Sequence, residues 1–466
     1  MQFKKGLIAL ALVGLTLILS LSNSGCANII PPTGGPRDSL PPVLVNATPA
    51  DSSLHFTDNK IVLTFDEYVQ LDNKLNEELI VSPNPQQVPS IMSKLKTVTI
   101  RLKDSLQPNT TYAIDFGNSI RDVNEGNPYK NFTYVFSTGN KLDEGTLSGK
   151  VLIARTGQPD STLIVALYKN LNDSAVKKLR PDYYTRIDSA GNFHFRFLPQ
   201  SDFAIYVLEN DYAKRYDDST KTFAFYDTTV NPASTGNISL FAYRAVEPQE
   251  KPSQISNENT KSGPAEKLKI TTNLDGNELD ILGDLTVKTN RKIESFDSTG
   301  IVLSDTNFIK IAGYSISTDT SLQSLSLKYP WPQSTDYILM IAADAIKDSL
   351  GNGLAKSDTI RFSTKSESDY GSVRLHFNNL DLSRNPVLQI FQEDKLIESV
   401  PLTSADWYRK LYYPGEYNLR ILWDENKNGV WDPGNFDAKI QPEKVSRITR
   451  KINIKMNWDN EIDISL

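Results

Sequence analysis

The segment TYAIDFGNSIRDVNEGNPYKNFTYVFST, residues 111–138, decides the fold of this chain. It contains an apolar run, a turn rich in Asp, Gly and Asn, and a second apolar run that ends in Phe-Ser-Thr. Apolar residues in short runs are typical of β-strands, and Asp, Gly and Asn favour tight turns. The segment therefore predicts a strand, a turn and a final strand that closes a β-sandwich.

A second copy of this pattern lies 225 residues further along, where DYILMIAADAIKDSLGNGLAKSDTIRFST occupies residues 336–364 (336 − 111 = 225). The spacing from the first Tyr to the turn Gly is the same in both copies, 126 − 112 = 14 and 351 − 337 = 14. Equal spacing with the same order of features predicts an internal repeat.

Composition limits the classes of protein to which the chain can belong. Its 466 residues exceed what one core serves, which predicts about three or four domains. The single Cys excludes a disulfide framework and a Cys-based zinc site, and three scattered His residues leave little for a His-rich metal centre. A net charge of −6 argues against nucleic-acid binding, which requires a basic surface.

The rest of the chain reads as β-structure behind a short leader. Residues 97–102 and 192–197 alternate with period two, which predicts strands with one buried face. No amphipathic helix longer than about two turns is predicted. The segment EPQEKPSQISNENTKSGPAEK, residues 247–267, contains no aromatic residue and one large aliphatic residue, so we expect a flexible linker between two halves.

The amino terminus has the features of a secretory signal. Lys4 and Lys5 precede an apolar run over residues 6–21, and small residues follow up to Gly25. At 21 − 6 + 1 = 16 residues this run is short for a membrane-spanning helix, which needs about 20. We therefore predict a signal peptide over residues 1–25.

The Gly25-Cys26 junction resembles a bacterial lipobox, although Asn23 stands where Leu is commonest. The resemblance implies cleavage before Cys26, lipidation including palmitate-type acylation of that residue, and a tether over residues 26–39. Several acyl chains would provide stable anchoring. Because Ala27 follows and no acidic run is present, the resemblance favours the periplasmic face of the outer membrane, with the cell surface as the alternative.

The two repeated segments resemble the bacterial Ig-like domain of S-layer-type and Bacteroidota envelope proteins, expected over residues 40–140 and 268–366. Gly149, Leu167 and the Asp188 turn resemble a carboxypeptidase-regulatory or transthyretin-like sandwich, expected over residues 141–246, with a looser copy over 367–466. The full layout is similar to Ig-like-domain lipoproteins of Bacteroidota. The predicted fold class is all-β, with four tandem sandwiches.

One stretch has the spacing of a calcium loop. Five oxygen-bearing side chains and one backbone carbonyl stand at the expected positions: Asp424, Asn426, Asn428, Val430 (carbonyl), Asp432 and Asn435. Gly429 permits the sharp bend, and the stretch resembles loops of dockerins and thrombospondin repeats. The alternative is a β-hairpin with a type I′ turn at Asn428-Gly429. Calcium is the one cofactor that the sequence suggests.

Other polar and aromatic groups favour structural roles. Asp122 and Asp348 are expected to cap turns by accepting hydrogen bonds from backbone amides. Neighbouring carboxylates such as Asp66-Glu67 and Asp217-Asp218 point to opposite faces of a strand and do not predict a shared substrate. Four aromatic groups could stack on sugars, but we expect core positions for most of them: Tyr183-Tyr184, Tyr329–Trp331, Trp407-Tyr408 and Tyr412-Tyr413.

These observations predict a lipid-anchored envelope protein that acts as a non-enzymatic scaffold or as a binding or adhesion module. No catalytic residues are predicted. One alternative is a glycan- or peptidoglycan-binding accessory lipoprotein of an uptake system, which requires an accessible aromatic platform. The second is an envelope hydrolase, which requires clustered acids or His. The expected partners are the outer membrane and an unidentified envelope protein or glycan, and no nucleic acid.

Overall fold

The computed structural model describes residues 37–246 and 267–466. The predicted signal peptide, Cys26, most of the tether and the linker as far as residue 266 lie outside the described residues. The described parts contain 33 strands and only two α-helices, α1 at Leu75–Glu78 and α2 at Ser174–Lys178. The predicted all-β fold class is therefore confirmed.

The first sandwich spans residues 37–142 and its core includes Ile61, Phe116 and Phe136. Its sheets are ordered β1-β2-β6-β5 and β4-β7-β9, with a ribbon β3-β8. The strands are β1 Leu44–Thr48, β2 Lys60–Phe65, β3 Val69–Leu71, β4 Ile80–Ser82, β5 Ser90–Lys94, β6 Thr97–Arg101, β7 Thr111–Gly117, β8 Ile120–Asp122 and β9 Phe132–Ser137.

The second sandwich spans residues 143–246 and its core includes Val165, Phe195 and Val207. The strands are β10 Gly145–Ile153, β11 Leu163–Tyr168, β12 Tyr183–Arg186, β13 Asn192–Leu198, β14 Ala204–Glu209, β15 Ala224–Phe225 and β16 Ile238–Ala242. They form sheets β13-β10-β16 and β12-β11-β14-β15, and β10 runs parallel to β16.

The third sandwich spans residues 267–366 and contains a 3₁₀ turn at Ser298–Gly300. The strands are β17 Ile270–Thr272, β18 Glu278–Leu279, β19 Leu285–Thr289, β20 Ile293–Phe296, β21 Ile301–Ser304, β22 Ser315–Thr318, β23 Ser324–Lys328, β24 Asp336–Ile341, β25 Ile346–Asp348 and β26 Asp358–Thr364. The sheet β17-β19-β23-β22 and the ribbon β20-β25 reproduce the order in the first sandwich.

The fourth sandwich spans residues 367–466 and repeats the second. The 3₁₀ turns are Glu367–Asp369 and Leu382–Arg384, and the strands are β27 Gly371–Asn378, β28 Pro386–Gln392, β29 Lys395–Pro401, β30 Asp406–Tyr412, β31 Gly415–Trp423, β32 Lys444–Ile454 and β33 Asp459–Ser465. Its sheets are β30-β27-β33 and β29-β28-β31-β32, and β27 runs parallel to β33 as β10 does to β16.

The boundary between compact units falls between Leu142 and Asp143, so the second, third and fourth sandwiches form one unit. The flexible linker expected over residues 247–267 lies almost entirely outside the described residues, so the predicted domain bounds stay a prediction. Within the larger unit the second sandwich packs against the fourth, as described below. The third and fourth sandwiches also meet at Tyr370, whose hydroxyl donates to Asp280 Oδ1 at 2.7 Å and accepts from Ile281 N at 3.0 Å.

Candidate functional site

The predicted calcium loop begins a 20-residue connection, residues 424–443, between β31 and β32 (443 − 424 + 1 = 20). The two strands pair up to Trp423 and Lys444, where the connection leaves the sheet. Positive φ angles occur at Lys427 (63°) and Gly429 (76°). The type I′ turn considered at Asn428-Gly429 requires positive φ at both of its central residues, so it is not formed.

Asp424 organises the first half of this connection. The residue is 2% exposed, and its carboxylate accepts hydrogen bonds from Asn428 N at 3.2 Å and Gly429 N at 2.7 Å. A carboxylate that accepts two backbone amides stabilises a tight bend. Asp424 therefore stabilises the bend at Gly429 by hydrogen bonds to the backbone.

Asp432 brings the two Asn residues together. Asn428 Nδ2 donates to Asp432 Oδ2 at 2.7 Å, and Asn426 Nδ2 donates to the same oxygen. The Asn428 side-chain oxygen accepts from Val430 N at 2.7 Å. The structure therefore collects Asp424, Asn426, Asn428, Val430 and Asp432 in one loop, where amide donors satisfy the carboxylates.

Asn435 does not join this set through its hydrogen bonds. Its backbone exchanges hydrogen bonds with Ile440 at 2.8 and 2.9 Å, and its side-chain oxygen accepts from Ala438 N at 3.1 Å. The sixth predicted ligand therefore organises a separate turn over residues 435–440.

Glu443 is a loop carboxylate that the sequence analysis missed. It is 7% exposed and accepts from Glu425 N at 2.9 Å and from Asp432 N at 3.0 Å. Burial raises the pKa of Glu443, and the neighbouring charges of Asp424 and Asp432 raise it as well. No local signal could reveal this role, because Glu443 lies 19 residues after Asp424 (443 − 424 = 19) and outside the 12-residue pattern.

Within residues 37–246 and 267–466, no three His, Cys, Asp or Glu side chains form a group that could hold a metal ion. Oxygen ligands of Ca²⁺ lie at about 2.3–2.6 Å and number six to eight. Calcium binding therefore stays a prediction.

The second half of the connection binds the second sandwich. Phe436 is 4% exposed and lies among aromatic rings of that sandwich, with ring centroids 5.1 Å from Phe223, 5.3 Å from Phe225 and 5.8 Å from Tyr206. Edge-to-face and tilted pairs at these distances are favourable. Phe436 thus completes a cluster whose other buried members belong to the second sandwich, and Trp431 of the fourth sandwich packs against it.

Next to Phe436, the backbone at Gly434 packs closely against the second sandwich, and ion pairs connect the two sandwiches. A Cβ on Gly434 would lie 2.6 Å from the Tyr243 ring, so only glycine fits there without displacement. Two ion pairs cross the same interface, Lys177 Nζ–Asp437 Oδ1 at 2.5 Å and Lys439 Nζ–Asp173 Oδ1 at 2.6 Å. We call residues 433–441 the docking segment.

Further contacts extend the interface along β31. Arg420 donates to the Arg155 carbonyl at 3.0 Å, and Gln441 donates to the Phe225 carbonyl at 3.2 Å and to Asp227 Oδ1 at 2.7 Å. Exposed ion pairs contribute little, so the buried rings dominate the stability of this contact.

The predicted turn caps are confirmed. Asp122 accepts hydrogen bonds from the backbone amides of Glu125 at 2.6 Å, Gly126 at 2.9 Å and Asn127 at 2.8 Å. Burial alone would raise the pKa of Asp122, but these amides lower it below the usual value. Asp348 accepts from the equivalent turn of the repeat, at Leu350 and Asn352.

Four of the eight aromatic residues considered for sugar stacking are buried, and Tyr184 and Tyr329 are half-buried. The buried ones are Tyr183, Trp331, Trp407 and Tyr412, whereas Tyr408 and Tyr413 are exposed. The glycan-binding alternative therefore loses half of its predicted platform residues to the core.

The His residues lie in separate surroundings. His194 contacts Ser148 at 2.7 Å in the second sandwich, and His376 contacts Asp406 at 2.9 Å in the fourth. Neither contact brings Ser, His and Asp together.

In the described residues no helix is both long and apolar enough to span a bilayer.

Comparison with known proteins gives one family match. Residues 38–138 match the family model described as a bacterial Ig-like domain, which covers about a fifth of the chain. The first sandwich is thus of the bacterial Ig-like class. No curated protein gives a significant match to the chain.

Similar solved structures are remote in sequence. The Bacillus anthracis TIE protein is 12% identical, with 93% of this chain and 75% of that chain covered and a TM-score of 0.16. The S-layer protein SbsC is 11% identical, with 91% of this chain and 54% of that chain covered and a TM-score of 0.17. This chain therefore spans about half the length of that SbsC structure. BcpA, the major pilin subunit of Bacillus cereus, is 9% identical, with 69% of this chain and 99% of that chain covered and a TM-score of 0.16. At these TM-scores the likenesses support no conclusion about function.

Proposed function

We propose that this protein is a lipid-anchored, non-enzymatic scaffold of the bacterial cell envelope, attached through Cys26 to the periplasmic face of the outer membrane. The observation that carries the scaffold role is the docking segment. It buries Phe436 in the second sandwich and so holds three sandwiches in one compact unit.

A scaffold must keep its contact surfaces at defined separations. Sandwiches joined only by linkers move independently by default, whereas a buried aromatic contact restricts that motion. The contact between the second and fourth sandwiches supplies the restriction across the predicted linker. The Ig-like match of the first sandwich supports a surface or envelope role of the same kind.

Neither alternative gains a specific supporting observation. A glycan-binding accessory needs an accessible aromatic platform, and of the eight residues predicted for it only Tyr408 and Tyr413 are exposed. A hydrolase needs acids, nucleophile and base brought together, and His194 and His376 have separate partners in different sandwiches. The scaffold therefore has the better support.

Metabolic labelling with an alkyne fatty acid tests the anchor. Wild type is expected to incorporate the label, and Cys26→Ala is expected to lose it, because acylation requires the thiol and the new amine of that residue. Ser24→Ala, two residues away, is the matched control and should keep the label. Retention of label by Cys26→Ala would refute the anchor.

The scaffold role has a separate test. In-cell crosslinking followed by affinity capture should recover the same envelope partners with wild type and with Val430→Ala, an exposed substitution in the loop. Phe436→Ala should lose part of that set, because it releases the contact between sandwiches. An identical set from all three proteins would contradict the proposal.

A further inference from the structure

Four apolar side chains on four segments of the first sandwich are exposed near one another. Val43 is 56%, Tyr68 53%, Leu95 66% and Val123 47% exposed. Backbone hydrogen bonds connect their segments: Val69 N donates to the Leu95 carbonyl at 2.9 Å and Val123 N to the Tyr68 carbonyl at 3.1 Å. We call these four residues the entry patch.

The position of the entry patch is set by where the chain enters the sandwich. Val43 N donates to Asp66 Oδ1 at 2.7 Å, and Asp66 N donates to the Val43 carbonyl at 3.0 Å. This interlocking places Val43 beside the segment that carries Tyr68. Only 17 residues separate Val43 from Cys26 (43 − 26 = 17), so an extended chain spans at most about 60 Å.

The internal repeat allows the residues of the entry patch to be compared with those at equivalent positions of the third sandwich. In the third sandwich Lys269 and Asn290 make the same pair of hydrogen bonds, at 2.9 and 3.2 Å. Lys269 therefore stands where the first sandwich has Val43. Both copies build this corner in the same way but differ in the side chain exposed there.

Two further positions follow from the paired ribbons. Val69 pairs with Asp122 in the first sandwich, and Ile293 pairs with Asp348 in the third. Lys292 thus stands where the first copy has Tyr68, and Ser349 where it has Val123. At all three positions the copy next to the predicted anchor is apolar, and the other copy is polar or charged.

The fourth position is apolar in both copies. Ile293 N donates to the Leu322 carbonyl as Val69 N does to that of Leu95, and Leu322 is also exposed. The third sandwich also exposes Leu350 in its turn. The difference between copies therefore rests on Val43, Tyr68 and Val123, whose equivalents in the third sandwich are Lys269, Lys292 and Ser349.

Charged groups of both signs flank the entry patch. Lys94 and Lys96 border Leu95, and the Lys96 ammonium lies 5.8 Å from the centre of the Tyr68 ring. Asp66 and Glu67 precede Tyr68 in the sequence, and the nearby charges of Asp122, Asp66, Asp38 and Glu125 add to burial in raising the pKa of Glu67. An apolar centre with Tyr and Lys at its border suits a membrane–water interface, where aromatic rings and long Lys side chains place their polar ends in water.

We propose that the entry patch is a membrane contact, which seats the first sandwich on the phospholipid surface that its anchor enters. This inference rests on the proposed lipid anchoring for the identity of the nearby membrane. A second copy of the chain and a protein partner are the competing occupants, and they are outcomes of the test.

A reporter at equivalent positions of the two copies tests the contact. The full mature chain carries Cys26→Ser, which leaves no other thiol, and an environment-sensitive fluorophore is attached at Leu95→Cys or, as the matched control, at Leu322→Cys. Vesicles of phosphatidylethanolamine with a minor fraction of phosphatidylglycerol are added. We expect a blue shift at residue 95 and none at residue 322, and salt should not abolish it because screening acts on charges.

The repeat also supplies the disrupting variant. Val43→Lys, Tyr68→Lys and Val123→Ser together introduce side chains that the third sandwich already tolerates at these positions, so folding should persist. Vesicle partitioning should fall at least about tenfold, since three apolar surfaces are lost. Circular dichroism of the triple variant checks that the fold is intact.

Three outcomes would overturn the inference: no shift at residue 95, an equal shift at both positions, or a shift without vesicles that grows with protein concentration. The last outcome would indicate pairing with a second copy. Because the reporter chain is not acylated, these results are independent of fatty-acid labelling at Cys26. Failure of the membrane contact and failure of the anchor are therefore distinguishable.

Discussion

Phe436→Ala tests whether the docking segment holds the second and fourth sandwiches together. The substitution removes the one ring that the fourth sandwich inserts among Tyr206, Phe223 and Phe225. The sandwich cores that include Val207 and Leu419 are separate from this contact. The variant should therefore open the interface while each sandwich stays folded.

The magnitude follows from burial. Phe436 is 4% exposed, and removal of a buried Phe side chain costs about 3–5 kcal/mol in closely packed surroundings. A tenfold change in an equilibrium corresponds to about 1.36 kcal/mol. The equilibrium between docked and undocked sandwiches should therefore shift by more than about a hundredfold. The two ion pairs beside Phe436 are partly exposed and contribute about 0–1 kcal/mol each, so they cannot compensate.

Limited proteolysis and chemical denaturation measure the effect. In Phe436→Ala, cleavage within residues 424–443 should be faster, and the single unfolding transition of the larger unit should separate into more than one. Val430→Ala is the matched control, because Val430 is in the same loop and 64% exposed. If Phe436→Ala showed the same cleavage rate and the same transition as Val430→Ala, the docking interpretation would be refuted.

Three further predictions concern the same loop and the turn caps. Gly434→Ala should weaken docking without changing any charge, because its Cβ would meet the Tyr243 ring at 2.6 Å, and faster cleavage of the loop would report it; an unchanged rate would contradict the close packing. Calorimetric titration of the full chain with calcium should show binding in the millimolar range that Asp424→Asn abolishes; no heat and no melting shift with wild type would end the calcium prediction. The pKa of Asp122 is lower in the folded protein than its unfolded value of 3.8, so the charged carboxylate stabilises the fold above pH 3.8, and this stability is lost as pH falls through the folded pKa. Acid denaturation should therefore show that the difference in unfolding free energy between wild type and Asp122→Asn narrows in that pH range. A difference that stays constant with pH would disprove the linkage.

Residues close together in the sequence carried the predictions that the structure confirms. Alternating and apolar runs predicted the strands, and the turn after Asp122 was predicted from Asp, Gly and Asn within six residues. Strand periodicity and turn chemistry act over a few neighbouring residues. The all-β fold class and the turn caps were therefore readable from the sequence.

The 424–443 connection shows where such reasoning ends. Its spacing correctly grouped Asp424 with Asn426, Asn428 and Asp432, since all lie within nine residues. It also suggested a hairpin turn that does not form. Glu443 joins the group only because β31 and β32 pair and return the chain to the start of the loop. A spacing pattern contains no information about that return.

The sequence by itself determined that this protein is a repeated all-β chain, and it predicted the leader with a lipidated Cys26. Only the tertiary structure decided that Phe436 is buried against Phe225, 211 residues earlier (436 − 225 = 211), and that Val43, Tyr68, Leu95 and Val123 share one surface. The physical reason is that strand and turn preferences are local. Burial between sandwiches and the grouping of exposed side chains depend on how distant segments pack.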